Sequence, residues 1–194
     1  MAYSDMSNEQ QKNLIKSYFD REIEVIRHLN IDDINSAVHA ILDAYDREAT
    51  IYVFGNGGSA STASHFAGDF NKEMPAEDGK TFHFVCLSDN ITQTMAIAND
   101  YSYEEVFRQP LLNRLKSKDL IIAISGSGNS TNIIRAVEYA KEVGTPVLGI
   151  TGYDGGKLKE MADFHMDVNI DDMQISEDLH MIFHHMVYYV VNQR

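Results

Sequence analysis

The sequence predicts an α/β protein, a doubly wound parallel sheet preceded by two helices and closed by a third. Three observations carry this expectation. Short, continuous apolar runs recur along the chain, each ending in Gly, Ser or Asp and followed by a helical stretch, the pattern of parallel strands covered on both faces. Apolar residues make up 44% and charged residues 23% of the chain, which is globular usage and supplies a core of ordinary size. Only three prolines occur (Pro75, Pro110, Pro146) and no Pro/Ser-rich linker divides the 194 residues, so one domain is expected, with helices over 1–48 and the α/β core over 49–194.

The elements follow in order. Residues 8–29 read as a helix because Ile15, Phe19, Ile23 and Ile26 recur at helical spacing among charged residues. A second helix is expected over 33–47, with Ile34, Val38, Ile41, Leu42 and Tyr45 on its apolar face. Strands are expected at TIYVFG (50–55), FHFVCLSD (82–89), DLIIAISGS (119–127) and TPVLGIT (145–151), with a fifth at FHMDVNI (164–170). A helix over about 175–192 closes the chain.

Charge and composition exclude whole classes. Lys and Arg number 16 against 29 Asp and Glu, a net charge of -13 that repels phosphate backbones and anionic lipid. Nucleic-acid and membrane partners are therefore not expected. Cys86 is the only cysteine, so no intrachain disulfide forms, and a reducing cytoplasmic location is expected. No apolar run approaches the roughly 20 residues of a membrane span, and the first residues lack a signal-peptide core.

In a doubly wound sheet, ligands bind beyond the carboxyl ends of the strands, which directs attention to two loops. The first, GNGGSAS (55–61), joins a strand to a helix, and its glycines let backbone approach a ligand while the helix start offers free N–H groups to an anion. Ser59 is placed to cap that helix; a plain turn with a Ser cap is the simplest reading. Gly55, Gly57 and Ala60 also fit the dinucleotide pattern G-x-G-x-x-A. The second loop, SGSGNST (125–131), offers the hydroxyls of Ser125, Ser127 and Ser130 with a helix starting near Ser130. Hydroxyls and backbone amides grip a phosphate without a basic residue. Two such loops on one sheet edge, the second rich in serine, suit a phosphorylated small molecule better than a nicotinamide cofactor.

The pair GNGGSAS…HFAGDF and ISGSGNSTN resembles the SIS (sugar isomerase) phosphosugar-binding family. The layout is similar to its phosphoheptose isomerase branch across nearly the whole chain, including AND (98–100), TGYDGGKL (151–158) and a His-bearing last helix. The resemblance implies one flavodoxin-like SIS domain over 1–194 and a homotetramer with sites at subunit interfaces. It also implies phosphate held by Ser125, Ser127 and Ser130, with Asn56, Gly57 and Ser59 facing the sugar phosphate.

His65 and Asp69 stand four residues apart, on one helix face, and alone would read as a surface pair. The resemblance implies instead a zinc ligand at His65 and a ligand or base at Asp69, where the branch carries Glu. In the last helix, EDLHMIFHHMVYY (177–189), Glu177 lies within about a quarter-turn of both His184 and His185 at 100° per residue, so periodicity leaves the choice of histidine open. The family's Gln-Glu-x-His…His pattern puts Glu177 where a metal-binding, substrate-facing Gln sits and His185 where the metal-binding, acid/base His sits; His180 matches the nearer histidine. Neutral imidazoles with oxygen donors suit zinc. Asn99 and Asp100 read alone as a polar loop capping the next helix; the resemblance implies contacts to substrate hydroxyls.

The resemblance thus implies an aldose–ketose isomerase acting on sedoheptulose 7-phosphate through an enediol, with Asp69 as base, His185 as acid, and zinc on His65, Asp69, Glu177 and His185. Asp69 cannot serve as ligand and base at one instant. Two other readings remain: a non-catalytic SIS scaffold that binds the replication-initiator protein, and an SIS isomerase or binding protein for another sugar phosphate. Gly126, where the branch carries Thr, is expected to widen the pocket, and Asn71, Lys72 and Glu73 stand where the branch has an Arg.

Overall fold

The computed structural model describes residues 6–73 and 79–193; Pro75 and the Glu73 side chain lie outside the described residues. Strands β1 (Thr50–Gly55), β2 (His83–Cys86), β3 (Leu120–Ser125), β4 (Val147–Thr151) and β5 (Phe164–Asp167) form one sheet in the order β2-β1-β3-β4-β5, every pair parallel. Helices α1 (Asn8–Arg27) and α2 (Ile31–Asp46) precede the sheet, and α3 (Gly58–Glu73), α4 (Ile91–Asp100), α5 (Arg108–Leu111), α6 (Thr131–Val143) and α7 (Gly156–Met161) connect its strands. Helix α8 (Met173–Val191) closes the chain.

Side chains alternate across each strand and so feed two cores. Ile51, Val53, Leu120, Ile122, Ile124, Leu148 and Ile150 pack with Ile41 of α2, Phe66 and Phe70 of α3, and Leu179 and Phe183 of α8. Phe54, Ile121, Ala123 and Val147 face the other way, against Leu111, Ile133, Val137 and Leu158. Strands β3 and β4 are buried at every position, which is why they read as unbroken apolar runs. Each fully buried Leu, Ile or Phe contributes roughly 1.5–3 kcal/mol.

Local chemistry sets the helix ends. Ser7 and Gln10 form a reciprocal capping box at α1, Asn30 accepts from the Asp32 and Asp33 amides at α2, and Asp172 accepts from Ile175 N at α8. Gly144 ends α6 in the left-handed region at φ 80°. Asn71 completes the sheet edge, since its side chain donates to Phe84 O at 2.9 Å and accepts from Phe84 N at 2.9 Å.

The expected strands are all present, most of them shorter than their apolar runs, because the runs continue into the loops. Asn99 and Asp100 correct one expectation. They lie in the last turn of α4 rather than in a capping loop, because Asn90 accepts from Gln93 N and starts a helix there. The chain passes from β1 to β2 on one side and returns to β3 on the other, so the winding reverses between β1 and β3. The loops after these two strands, 55–59 and 125–130, flank that switch point.

Candidate functional site

The first loop is held from both sides. Ser88 Oγ accepts from Gly55 N and donates to Gly55 O. Asn56 and Asn132, the latter buried at the start of α6, exchange amide bonds of 3.0 and 2.9 Å across the switch point, and Tyr103 donates to Asn56 Oδ1 at 2.8 Å. Asn56 thus positions the loop as well as facing it. Gly57 turns the chain at φ 55°, so that α3 begins at Gly58. Ser59 is therefore buried inside the first turn, packed on Gly55, and does not stand at the cap position expected of it.

The second loop is moulded by residues 152–158. Gly152 N donates to Gly126 O at 2.8 Å, Leu158 N to Gly128 O at 2.9 Å, and Lys157 N to Asn129 Oδ1 at 3.2 Å. A Cβ on Gly128, which has φ 63°, would stand 1.9 Å from Gly155 O. The backbones meet too closely for any side chain. Ser130 precedes α6 without a side-chain capping bond, and its hydroxyl lies 3.3 Å from that of Ser125. Ser127 Oγ accepts from Asn129 N and lines an open cleft of about 570 Å³ with Tyr153, Asp154 and Asn169. The room that Gly126 leaves is filled rather than open: a Cβ there would meet Met173 Sδ at 2.7 Å.

Helices α3 and α8 pack side by side, and their seam brings together His65, Asp69, His184 and His185, with one ligand atom from each within 4.8 Å of the others. His65 Nε2 lies 3.1 Å and His184 Nε2 3.4 Å from Asp69 Oδ2. His184 is fully buried and its ring nitrogens make no hydrogen bond, whereas His185 is exposed. Burial, then the neighbouring imidazoles of His65 and His185, push the His184 pKa down to about 4 against the pull of Asp69. Its ring is neutral at pH 7 with a lone pair to offer. A second open cleft, about 470 Å³, reaches His65 past Ser61, Ser64 and Ser88.

The structure separates the remaining residues. Glu177 is not in the seam group; its carboxylate lies against Gly58, where an added Cβ would meet Oε2 at 2.2 Å. His180 is fully buried near Thr151 and Asp167, and burial lowers its pKa to about 4. Asn99 and Asp100 are exposed at the end of α4 and bonded to each other at 2.9 Å. Tyr103 and Met173 support these loops without any signal in the sequence, whereas Asn132 closes the run ISGSGNSTN.

The seam fits a divalent cation. Three imidazoles and one carboxylate form a nitrogen-rich donor set suited to zinc, and the buried nitrogens of His184 lack any other partner.

Residues 17–152 match the SIS domain family. A probable phosphoheptose isomerase of Thermoplasma acidophilum is 34% identical over 179 residues, covering 92% of this chain and 98% of the relative. A phosphoheptose isomerase of Helicobacter pylori is 36% identical over 154 residues, 79% of this chain and 80% of the relative. The solved phosphoheptose isomerase of Neisseria gonorrhoeae superposes with a TM-score of 0.86 at 26% identity, over 95% of this chain and all 100% of that one. The chain belongs to the SIS domain family, in its phosphoheptose isomerase branch.

Proposed function

We propose that this protein is a phosphosugar isomerase that converts sedoheptulose 7-phosphate to D-glycero-D-manno-heptose 7-phosphate. The observation that carries the reading is the coexistence of a serine-lined loop at the sheet's switch point with an imidazole–carboxylate group on the adjoining α3–α8 seam. The relatives named phosphoheptose isomerase support it.

Ser125, Ser127, Ser130 and the α6 N-terminus anchor the phosphate, while Asn99, Asp100 and Glu177 orient the sugar hydroxyls. Asp69 takes the proton from C1 of the ketose and delivers it to C2. His185 protonates O2 as the enediol forms and accepts the O1 proton as the aldehyde appears. Such acid–base groups contribute about 10²–10⁴-fold each. His65, Asp69 and His185, with one further ligand, would hold a zinc ion, which when bound polarises the carbonyl and offsets developing oxyanion charge. We also propose a homotetramer with interface active sites, located in the cytoplasm; the exposed apolar stripe of α1 and the unpaired Cys86 support these two points.

Proton NMR of the purified protein with sedoheptulose 7-phosphate and zinc tests the reaction. Aldose anomeric signals should grow in and should stop growing on chelation. If this substrate, fructose 6-phosphate and ribulose 5-phosphate all remain unchanged, the isomerase reading fails. A pull-down against the replication-initiator protein then tests the scaffold.

A further inference from the structure

We infer that Tyr103 is a positioning residue of the proposed sugar-phosphate site: its hydroxyl fills the acceptor place on Asn56 that Asn132 leaves open, so that Asn56 meets a ligand as a hydrogen-bond donor only. The effect on binding rests on the phosphosugar reading, but the pin itself does not.

A backbone group sets the polarity of this chain of bonds. Ile133 N, in the first turn of α6, lies 3.0 Å from Asn132 Oδ1 as well as from Ser130 O, and a backbone N–H can only donate. Asn132 Nδ2 is therefore the atom that donates to Asn56 Oδ1 at 2.9 Å, and Asn56 Nδ2 donates back to Asn132 Oδ1 at 3.0 Å. Tyr103 Oη, 2.8 Å from Asn56 Oδ1, must then give its only proton. An amide oxygen has two lone pairs, and both are now taken. One Nδ2 hydrogen of Asn56 is left without a partner among the described residues. It suits an acceptor oxygen, such as one of a phosphate ester, and offers nothing to a hydroxyl proton.

Ion pairs hold Tyr103 in place. It opens a single 3₁₀ turn, Tyr103–Glu105, and Arg135 of α6 reaches Glu104 at 2.7 Å and Glu105 at 2.5 Å. Arg108 meets Glu105 at 3.2 Å. The turn is thereby anchored to the same helix whose first residues include Asn132. Tyr103 is 57% exposed, so burial of its ring does not account for its position. Asp100 ends α4 three residues earlier, and the pin therefore also ties the Asn99–Asp100 segment to the first loop.

Calorimetry with sedoheptulose 7-phosphate in the presence of a chelator, where the proposed turnover stops, tests the inference. Tyr103→Phe removes only the hydroxyl and should weaken binding about three- to tenfold, the scale of one hydrogen bond. In an Asn56→Ala background the same change should weaken it less than about twofold, because its target is gone. Hydrogen exchange followed by mass spectrometry needs no ligand. Tyr103→Phe should speed exchange over 55–61, leave 147–151 unchanged, and add nothing in the Asn56→Ala background, which decides the case where that variant binds too weakly to measure. Unchanged affinity, an equal loss in both backgrounds, or unchanged exchange over 55–61 would overturn the assignment. If the unsubstituted protein binds no sedoheptulose 7-phosphate, the phosphosugar reading fails and exchange alone decides the pin.

Discussion

Asp69 lies between two imidazoles at 3.1 and 3.4 Å, so its carboxylate is aimed before any sugar arrives. Asp69→Asn keeps the shape and removes the proposed base. Turnover should fall by at least about 10²-fold, while calorimetric binding of the phosphosugar stays within a few-fold. Equal loss of both would sink the assignment. His180 makes a separate prediction about pH. Its folded pKa is lowered from 6.5 to about 4, so between those values the unfolded chain binds more protons. Its contribution is complete above about pH 6.5 and is lost as pH falls towards 4, on the order of 3 kcal/mol. Urea midpoints measured across that range should fall less steeply for His180→Asn than for the unsubstituted chain, and parallel curves would refute the effect. At this scale the sequence was informative where spacing is local, since four residues on a helix suffice to pair His65 with Asp69. It could not tell which of His184 and His185 is buried, because both lie near the same helical face and the covering rings, Phe66 and Phe70, come from α3.

The loop over 125–130 owes its shape to 152–158, a contact between two strand–helix connections with no room for a side chain at Gly128. Gly128→Ala would meet Gly155 O and a strained φ together, and should destabilise the protein by about 1–3 kcal/mol. The KM for the phosphosugar should rise more than kcat falls, because the phosphate loop is displaced and the seam group is not. A variant with unchanged KM would show that the loop tolerates the shift. Strands β3 and β4 were readable as elements because both faces are buried and nearly every residue is apolar. Helices α4, α5 and α7 were not. Helix α4 buries only Ile97, and α5 and α7 are too short for a period to emerge. Their positions follow from caps and packing that only the folded chain provides.

Helix α1 buries none of its own residues, leaving Ile15, Phe19 and Ile23 in solvent. It is tied to the C-terminal region by Tyr18, which donates to Asp178 of α8 at 2.5 Å, and by Arg21, 2.9 Å from Asp172. The hydrogen bond to that carboxylate pushes the Tyr18 pKa up to about 12. An apolar stripe of this length on a secured helix supports the proposed assembly of copies of the chain. Light scattering after gel filtration should report a tetramer, and Phe19→Glu should shift it to smaller species with the circular dichroism unchanged. A monomeric unsubstituted protein would refute the assembly.

The sheet order carries a consequence for the time course of folding. The crevice lies between β1 and β3, and their pairing joins Ile51 to Leu120, with α3, β2, α4 and α5 threaded between them. A nascent chain that has already paired β1 with β2 still lacks the other wall. That wall comes only when a long loop closes and β3 settles against the free edge of β1, the slow kind of contact for a chain to make. If it binds in the proposed site, a sugar phosphate therefore has nothing to hold until the middle of the sheet is complete. It acts as a late reporter of folding and stabilises the finished molecule without guiding the intermediates that precede it.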